Sequence, residues 1–207
     1  SNASDYLIML AGGKYQFTHC TMANYMNHNF IRNNPIRLTE CLTLADHITY
    51  IKDQKEEIRE FPLQQAFFDN CIIDGGYLSL TDITRNYTWE IKFLTDPVYQ
   101  DGDDLRFNYR FNHCFIKTKK VENTRFHEVL FYLDAGQMRY IKGYGEYDDV
   151  FYDYIYDFRL ANKSAGIGKA DRTIAEKYPV DRYGTDRLTS ENGPSIGAYE
   201  YVPQNEK

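Results

Sequence analysis

Two arginines, one aromatic residue and one carboxylate are the side chains of this sequence whose spacing is best suited to ligand chemistry. Arg37, Phe67 and Arg110 each lie four residues before a cysteine, and Asp69 lies two residues before Cys71. An aromatic ring covers the apolar face of a sugar, while a guanidinium and a carboxylate bind its hydroxyl or carboxylate groups. Together these side chains form a candidate sugar-contacting patch. The alternative is that a loop covers Phe67 and that the arginines are ordinary surface charges.

An acidic segment at residues 101–104 is the second candidate for ligand chemistry. Asp101, Asp103 and Asp104 are the candidate ligands there of a Ca²⁺ ion, which prefers oxygen donors. The segment lacks the twelve-residue pattern of a dedicated calcium loop. We therefore interpret it as a solvated turn and expect no cofactor, with Ca²⁺ as the alternative.

A short pattern that ends at each of the four cysteines organises these residues. A large apolar residue is followed by a polar residue, then by His, Glu or Asn, and then by the cysteine. The copies are Phe17-Thr18-His19-Cys20, Leu38-Thr39-Glu40-Cys41, Phe68-Asp69-Asn70-Cys71 and Phe111-Asn112-His113-Cys114. Their cysteines are 21, 30 and 43 residues apart. Repetition at such intervals, with insertions, is typical of a solenoid.

The residues around each cysteine predict two short strands joined by a sharp turn. Segments 15–18 and 107–112 alternate apolar and polar residues, as half-buried strands do. The preceding Phe and the Cys are three residues apart, so both face inward only if one residue between them is left-handed. Asn70, His19 and His113 occupy that position, and Asn tolerates the conformation best after Gly. Stacked coils then place four free thiols in one inward column, about 4.8 Å apart: Cys20, Cys41, Cys71 and Cys114.

Two further motifs resemble a known family. The segment Asp69-Asn70-Cys71-Ile72-Ile73 is similar to a coil motif, and Gly193-Pro194-Ser195-Ile196-Gly197-Ala198-Tyr199-Glu200 is similar to an ending, Pro-Asp-Ile-Gly-Ala-Tyr-Glu, of right-handed parallel β-helix proteins. These proteins are secreted or displayed on the surface by Bacteroidetes and similar bacteria. Asp181, Gly184 and Arg187 also follow the family's order, whereas Ser195 replaces its Asp. The resemblance implies an exported or cell-surface protein and carries no catalytic motif with it.

The repeat and the resemblance together predict an all-β fold, a right-handed parallel β-helix of four to five coils with a non-repeating C-terminal cap. Residues 1–3 have the sequence of a cloning scar, residues 4–142 form the coils, and residues 143–207 form the cap and tail. Excursions are expected at about 51–62, as a solvated loop or short helical turn, and at 81–104. The complete coils are predicted at residues 7–24, 35–51, 67–80 and 105–118, and residues 129–132 are a candidate strand of a fifth coil. The abrupt first coil suggests a natural chain that continues upstream.

Composition restricts the classes of function. The chain has 207 residues, a net charge of −6 and a pI near 5.4, which argues against neutralising nucleic-acid phosphates. No apolar run approaches the roughly 20 residues that span a bilayer. The expected function is non-catalytic binding of a polysaccharide or surface glycan, or adhesion, outside the cell. Two alternatives stay open: the C-terminal portion of a polysaccharide lyase or glycoside hydrolase acting on acidic polysaccharide, and a structural spacer.

Overall fold

A computed structural model of the chain describes residues 7–24, 40–75, 89–95, 106–131, 138–142 and 157–205. These residues are nearly all β, with one short helix. The strands are β1 (Ile8–Ala11), β2 (Gly13–Thr18), β3 (Thr21–Asn24), β4 (Leu42–Ala45), β5 (His47–Lys52), β6 (Lys55–Glu60), β7 (Leu63–Asp69), β8 (Ile72–Gly75), β9 (Ile91–Leu94), β10 (Phe107–Asn112), β11 (Phe115–Ile116), β12 (Phe126–His127), β13 (Leu130–Phe131), β14 (Tyr140–Lys142) and β15 (Asp157–Leu160), and the helix is α1 (Arg172–Ala175). No helix among the described residues is long and apolar enough to cross a membrane.

Three parallel sheets form the body of the described fold. Sheet A has the order β1-β4-β9, sheet B has β12-β10-β7-β2, and sheet C has β13-β11-β8-β3. The chain visits sheets A, B and C in that sequence three times, and a further passage adds β12 and β13. Each strand therefore pairs with the strand of the preceding and the following passage. The predicted all-β class is confirmed: these three sheets are parallel, and two antiparallel pairs, β5–β6 and β14–β15, accompany them.

A ladder of phenylalanine rings fills the interior beside sheet B. Phe17, Phe68, Phe111 and Phe126 stack in sequence, with ring centroids 5.1, 4.7 and 5.1 Å apart and interplanar angles of 17° or less. Parallel in-register pairing places the same residue type at the same height on each strand, so the rings align face to face. The apolar residues of the period-two pattern in β7 and β10 are therefore the ones that form the core.

The left-handed turns between sheets B and C lie where the sequence predicts them. His19, Asn70 and His113 have φ values of 51°, 55° and 48°. A fourth turn of this kind lies at Glu128, with φ of 49°, and there Val129 occupies the position that cysteine has in the other copies. Residues 129–132 are the predicted candidate strand of a fifth coil, but the cysteine-anchored pattern did not include the turn at Glu128 that precedes it.

The prediction of a single four-cysteine column is wrong for Cys41. Cys20, Cys71 and Cys114 follow the left-handed turns, and the Cys71 N–H lies 3.4 Å from the Cys114 sulfur. Cys41 instead precedes β4 in sheet A, where its N–H donates to the Glu90 carboxylate at 3.1 Å. The residues before Cys41 match the pattern by type only. The strand pairing places Cys41 beside sheet A, away from the other three cysteines. All four cysteines are free thiols.

The excursion predicted as a solvated loop or helical turn is a β-hairpin. Strands β5 and β6 pair in antiparallel register, with Lys52 opposite Lys55. The two turn residues, Asp53 and Gln54, have φ values of 49° and 61°, which is the geometry of a type I′ turn. Composition alone did not indicate strands in this segment, because it is rich in Lys and Glu.

The C-terminal segment 157–205 packs along the outer side of sheet C and the turns that join sheets B and C. The Gly197 N–H donates to the Asn70 carbonyl at 2.8 Å, and the Ala198 N–H donates to Thr21 Oγ1 at 3.0 Å. The segment therefore reaches the first and second passages as well as the last one. A second hydrophobic cluster lies beneath it on the outer side of sheet C, composed of Ile72, Phe115, Met138, Tyr140, Leu160 and Ile196. Residues 143–156, the rest of the predicted cap, lie outside the described residues.

Candidate functional site

The outer side of sheet B presents a flat array of polar side chains around one aromatic ring, here called the sheet B face. Parallel register brings residues of β2, β7 and β10 into rows across the sheet. Its members are Lys14, Gln16, Thr18, Gln65, Phe67, Asp69, Asn108, Arg110 and Asn112. The same alternation that sends the phenylalanine ladder inward sends these residues outward.

The central row unites most of the patch suggested by the sequence. Gln16 pairs with Phe67, and Phe67 pairs with Arg110 on the next strand. The Arg110 guanidinium carbon lies 4.4 Å from the Phe67 ring centroid, in cation–π geometry. Arg110 Nη2 donates to Asp69 Oδ1 at 3.1 Å, and Gln16 Nε2 donates to the other Asp69 oxygen. The guanidinium therefore covers one face of the ring, and Asp69 fixes it there.

Arg110 remains available to a ligand despite these contacts. Its side chain is 45% exposed, whereas the Asp69 side chain is only 2% exposed. Among the described residues its hydrogen bonds come from Nη2 alone, so Nε and Nη1 have no protein partner. Nε–H and Nη1–H point in different directions, so each can donate a separate hydrogen bond to a carboxylate, sulfate or hydroxyl oxygen of a ligand. The buried carboxylate thus orients a cation whose remaining donors are open.

One edge of the sheet B face ends in a histidine pair that the sequence analysis missed. Asn112 Oδ1 accepts from His113 Nδ1 at 3.1 Å and from His127 Nδ1 at 2.9 Å. Asn112 Nδ2 donates to the Asp171 carboxylate at 3.1 Å, which fixes the amide orientation. The tautomer with the proton on Nδ1, which keeps Nε2 as an acceptor, is therefore the one that fits these hydrogen bonds at both rings. His127 follows from the register of β12 with β10, and its copy of the repeat ends in Val129 rather than in cysteine.

Asp171 connects this edge to the C-terminal segment. Burial raises its pKa, but hydrogen bonds from Asn112 and from the amides of Thr173 and Ile174 outweigh that effect and lower it. The last two bonds are those of a helix N-cap, because α1 begins at the next residue. The Asp171 main chain also exchanges two hydrogen bonds with the Asn70 side chain, at 2.7 and 3.1 Å. Asp171 therefore has a positioning role for this edge.

His19 belongs to the interior and not to the exposed site. It is 8% exposed, and its Nε2 accepts from Asn70 Nδ2 at 3.1 Å. Burial, assisted by the nearby Arg187 cation, lowers the pKa of His19 from 6.5 to about 4, while the Gly197 backbone opposes the change. The imidazole is therefore neutral around pH 7 and serves as a hydrogen-bond acceptor beneath the C-terminal segment.

A buried ionic cluster holds the end of the C-terminal segment together. Arg187 Nη2 donates to the Ala198 carbonyl at 2.8 Å, and Glu200 accepts from both Ser195 N at 2.9 Å and Ser195 Oγ at 2.6 Å. Burial lowers the pKa of Arg187 and raises that of Glu200. Asp181 accepts the Glu200 N–H at 2.9 Å. A shallow cleft of about 160 Å³ adjoins the cluster, and its lining includes Arg159, Asp181, Tyr183 and Glu200.

Several candidates from the sequence cannot be placed. Arg37 and the proposed calcium ligands Asp101, Asp103 and Asp104 lie outside the described residues. Within the part of the chain that the structure describes, no group of three or more His, Cys, Asp or Glu side chains is arranged to hold a metal ion. Comparisons with protein-family models, with curated proteins and with solved structures give no match to this chain. The function must therefore be argued from the geometry of the sheet B face.

Proposed function

We propose that this chain is a right-handed parallel β-helix domain, exported or displayed on the cell surface, that binds an acidic glycan without catalysis. The repeated passage through three parallel sheets supports the solenoid. The right-handed sense is supported by a general rule, since about 98% of parallel strand-to-strand crossovers have that hand. The resemblance of the coil motif and of the C-terminal ending to secreted bacterial β-helix proteins supports the location.

The observation that carries the binding proposal is the oriented Arg110 on the sheet B face. Asp69 holds the guanidinium over Phe67 and leaves Nε and Nη1 for a ligand. The neighbouring positions are mostly amides and a hydroxyl, which donate to and accept from sugar hydroxyls without a strong charge. This combination suits a sugar that carries a carboxylate or sulfate group.

Local charge is compatible with an anionic ligand. The sheet B face carries two cations, Lys14 and Arg110, against the carboxylate of Asp69, and Asp171 adds a second carboxylate at its edge. The whole chain has a net charge of −6, so this face is less acidic than the chain as a whole. The exposed Arg110 guanidinium attracts anionic groups over roughly one Debye length, about 8–10 Å at physiological salt.

The spacing of the face fits an extended oligosaccharide. Adjacent strands lie about 4.8 Å apart, and outward residues on one strand recur about every 6.6 Å. A glycan that crosses β2, β7 and β10 therefore meets a new strand with each successive sugar unit. Gln16, Phe67 and Arg110 are the side chains along that path.

The test is calorimetric binding of uronate-containing oligosaccharides and of matched neutral ones to the wild-type protein, with and without Ca²⁺. Arg110→Ala is expected to weaken uronate binding at least tenfold, which corresponds to about 1.4 kcal/mol. Arg59→Ala is the matched control, because Arg59 also lies over a ring, that of Phe61 at 5.1 Å, but on the β5–β6 side of the molecule. Equal binding of neutral and acidic sugars, or retention of binding in Arg110→Ala, would contradict the proposal. Appearance of unsaturated uronate products would favour the lyase alternative instead.

A further inference from the structure

The hairpin of β5 and β6 leaves large apolar side chains in solvent on both of its faces. Ile51 is 76% exposed and Ile58 is 61% exposed on one face, and Ile48 and Tyr50 are about 40% exposed on the other. The hairpin is anchored near its base, where the Phe61 N–H donates to the Asp46 carbonyl and Arg106 pairs with Glu60. An isolated two-stranded hairpin is only marginally stable in water. An additional strand paired with the hairpin would place side chains beside the β5 residues on both faces and reduce their exposure.

The turn geometry identifies which backbone groups of β5 are open. In a two-residue turn the carbonyl of Lys52 accepts from the N–H of Lys55, so these two residues form a hydrogen-bonded pair. Hydrogen-bonded and non-hydrogen-bonded pairs then alternate along the hairpin. The N–H and C=O groups of His47, Thr49 and Ile51 therefore point away from β6. None of these groups bonds to another element among the described residues.

The two edges of the hairpin differ in chemistry. Strand β6 has the sequence Lys-Glu-Glu-Ile-Arg-Glu, whose charges discourage pairing with another strand. Strand β5 has the sequence His-Ile-Thr-Tyr-Ile-Lys, which is rich in β-branched and aromatic residues and carries a single fixed charge at its end. An edge of this composition is suited to strand addition, and the protected β6 edge directs that addition to β5.

We propose that β5 pairs with β5 of a second copy of this chain, antiparallel and centred on Thr49. A two-fold axis through an antiparallel pair relates a residue to its own mate, and that residue must have outward-facing backbone groups to form hydrogen bonds there. Centring on Thr49 places His47 opposite Ile51 of the second copy, so all the open groups of β5 are satisfied. Centring on His47 or Ile51 would leave part of the edge unpaired.

Side-chain complementarity favours the same register. On one face Ile48 lies opposite Tyr50 of the second copy, a β-branched and aromatic pair. On the other face the two Thr49 side chains meet, flanked on each side by Ile58, which already pairs with Thr49 in the hairpin. The resulting four-stranded sheet has apolar residues in its centre and the charged β6 strands at both edges. Those edges stop further growth, so the assembly is a closed dimer.

Light scattering coupled to size exclusion, at chain concentrations from micromolar to submillimolar, tests this arrangement. The wild-type protein is expected to reach twice the chain mass of 24.4 kDa. Thr49→Lys places like charges opposite each other at the two-fold axis and is expected to give the monomer mass throughout. Ile58→Lys is the graded comparison, because it introduces the same side chain on the same face but on the outer strand, away from the two-fold axis. It should weaken the dimer less than Thr49→Lys and still reach the dimer mass at the highest concentration.

Circular dichroism of each variant tests whether the fold is retained. We expect it to be retained, because Thr49 and Ile58 are both exposed and both lie in the hairpin. A wild-type protein that stays at 24.4 kDa at the highest concentration overturns the proposal. A Thr49→Lys variant that dimerises like wild type also overturns it, because the contact then lies elsewhere. Dissociation caused by Ile58→Lys to the same extent would likewise refute the β5 register. This assembly does not depend on glycan binding, so failure of either proposal leaves the other intact.

Discussion

Acidification should destabilise this protein through one buried histidine. His19 has a pKa of about 4 in the folded chain, against 6.5 as its ordinary value. Below pH 6.5 the unfolded chain binds a proton that the folded chain still rejects, so stability falls as the pH drops through this interval and levels off below pH 4. The contribution is fully present above pH 6.5. The cause is burial beneath the C-terminal segment, with Arg187 nearby and Asn70 donating to Nε2.

The size of the effect follows from the two pKa values. Their difference, at about 1.4 kcal/mol per pKa unit, limits the loss to about 3 kcal/mol. Between pH 7 and pH 5 the same relation gives about 2 kcal/mol. With a urea m-value of about 2 kcal/mol/M, the midpoint should fall by about 1 M over that range.

The assay is urea unfolding at a series of pH values for wild type and for His19→Asn. Asparagine cannot titrate, and the chain itself uses Asn70 at the equivalent left-handed turn, with φ of 55°. The difference in unfolding free energy between the two proteins isolates His19, because the carboxylates titrate in both. Glu128→Asn, at another left-handed turn, measures what asparagine contributes there at neutral pH. Parallel pH profiles for wild type and His19→Asn would refute the reasoning.

Three further predictions concern packing and thiol chemistry. Gly197→Ala should lower the unfolding free energy by about 2–4 kcal/mol, because a Cβ would lie 2.6 Å from Ile72 Cδ1 at a φ of 97°. Gly184→Ala, with φ of 85° and no atom within 4 Å, should cost only about 1 kcal/mol, and equal losses in thermal unfolding would contradict the close contact. Cys20 should react with a disulfide reagent in the native protein before the three buried thiols, because it is partly exposed and a neighbouring thiol lowers its pKa to about 7; simultaneous labelling of all four would disprove this. Phe68→Ala should cost about 3–5 kcal/mol in urea unfolding, since the ring stacks between two others, and a loss below about 1 kcal/mol would show that the ladder repacks.

Sheet B was the part of the fold most accessible to sequence reasoning. Its strands alternate apolar and polar residues, and its turns use Asn and His where the backbone is left-handed, so both signals are local. The predicted coils contain β1 and β4 of sheet A, but the expected excursion at residues 81–104 is wrong where it contains β9, the third strand of that sheet. Sheet A gave a weaker signal because β4 is buried on both sides, and a short apolar run such as Leu42-Thr43-Leu44-Ala45 has no period that separates strand from helix. Cys41 was misplaced for the same reason.

The sequence predicted neighbouring residues of the candidate site only where the register of the parallel strands alone brings them together. Phe67, Asp69 and Arg110 meet because equivalent positions on parallel strands become neighbours. The stacking of Arg110 on Phe67 and the pairing of His127 with Asn112 depend on side-chain conformation and on a copy of the repeat without cysteine. The buried cluster of the C-terminal segment has little regular structure, so no periodic signal precedes it.

The contact between the C-terminal segment and the first passage through the sheets also governs the order of folding. An array of stacked repeats ordinarily gains structure one repeat at a time and frays from either end. Here Ala198 donates to Thr21, a residue 177 positions earlier, so the outer side of sheet C stays uncovered until nearly the whole chain has emerged. Contacts of such long range slow folding, because a large loop must close before they form. Once closed, the segment couples the first and last passages, and we expect the molecule to unfold in one cooperative step.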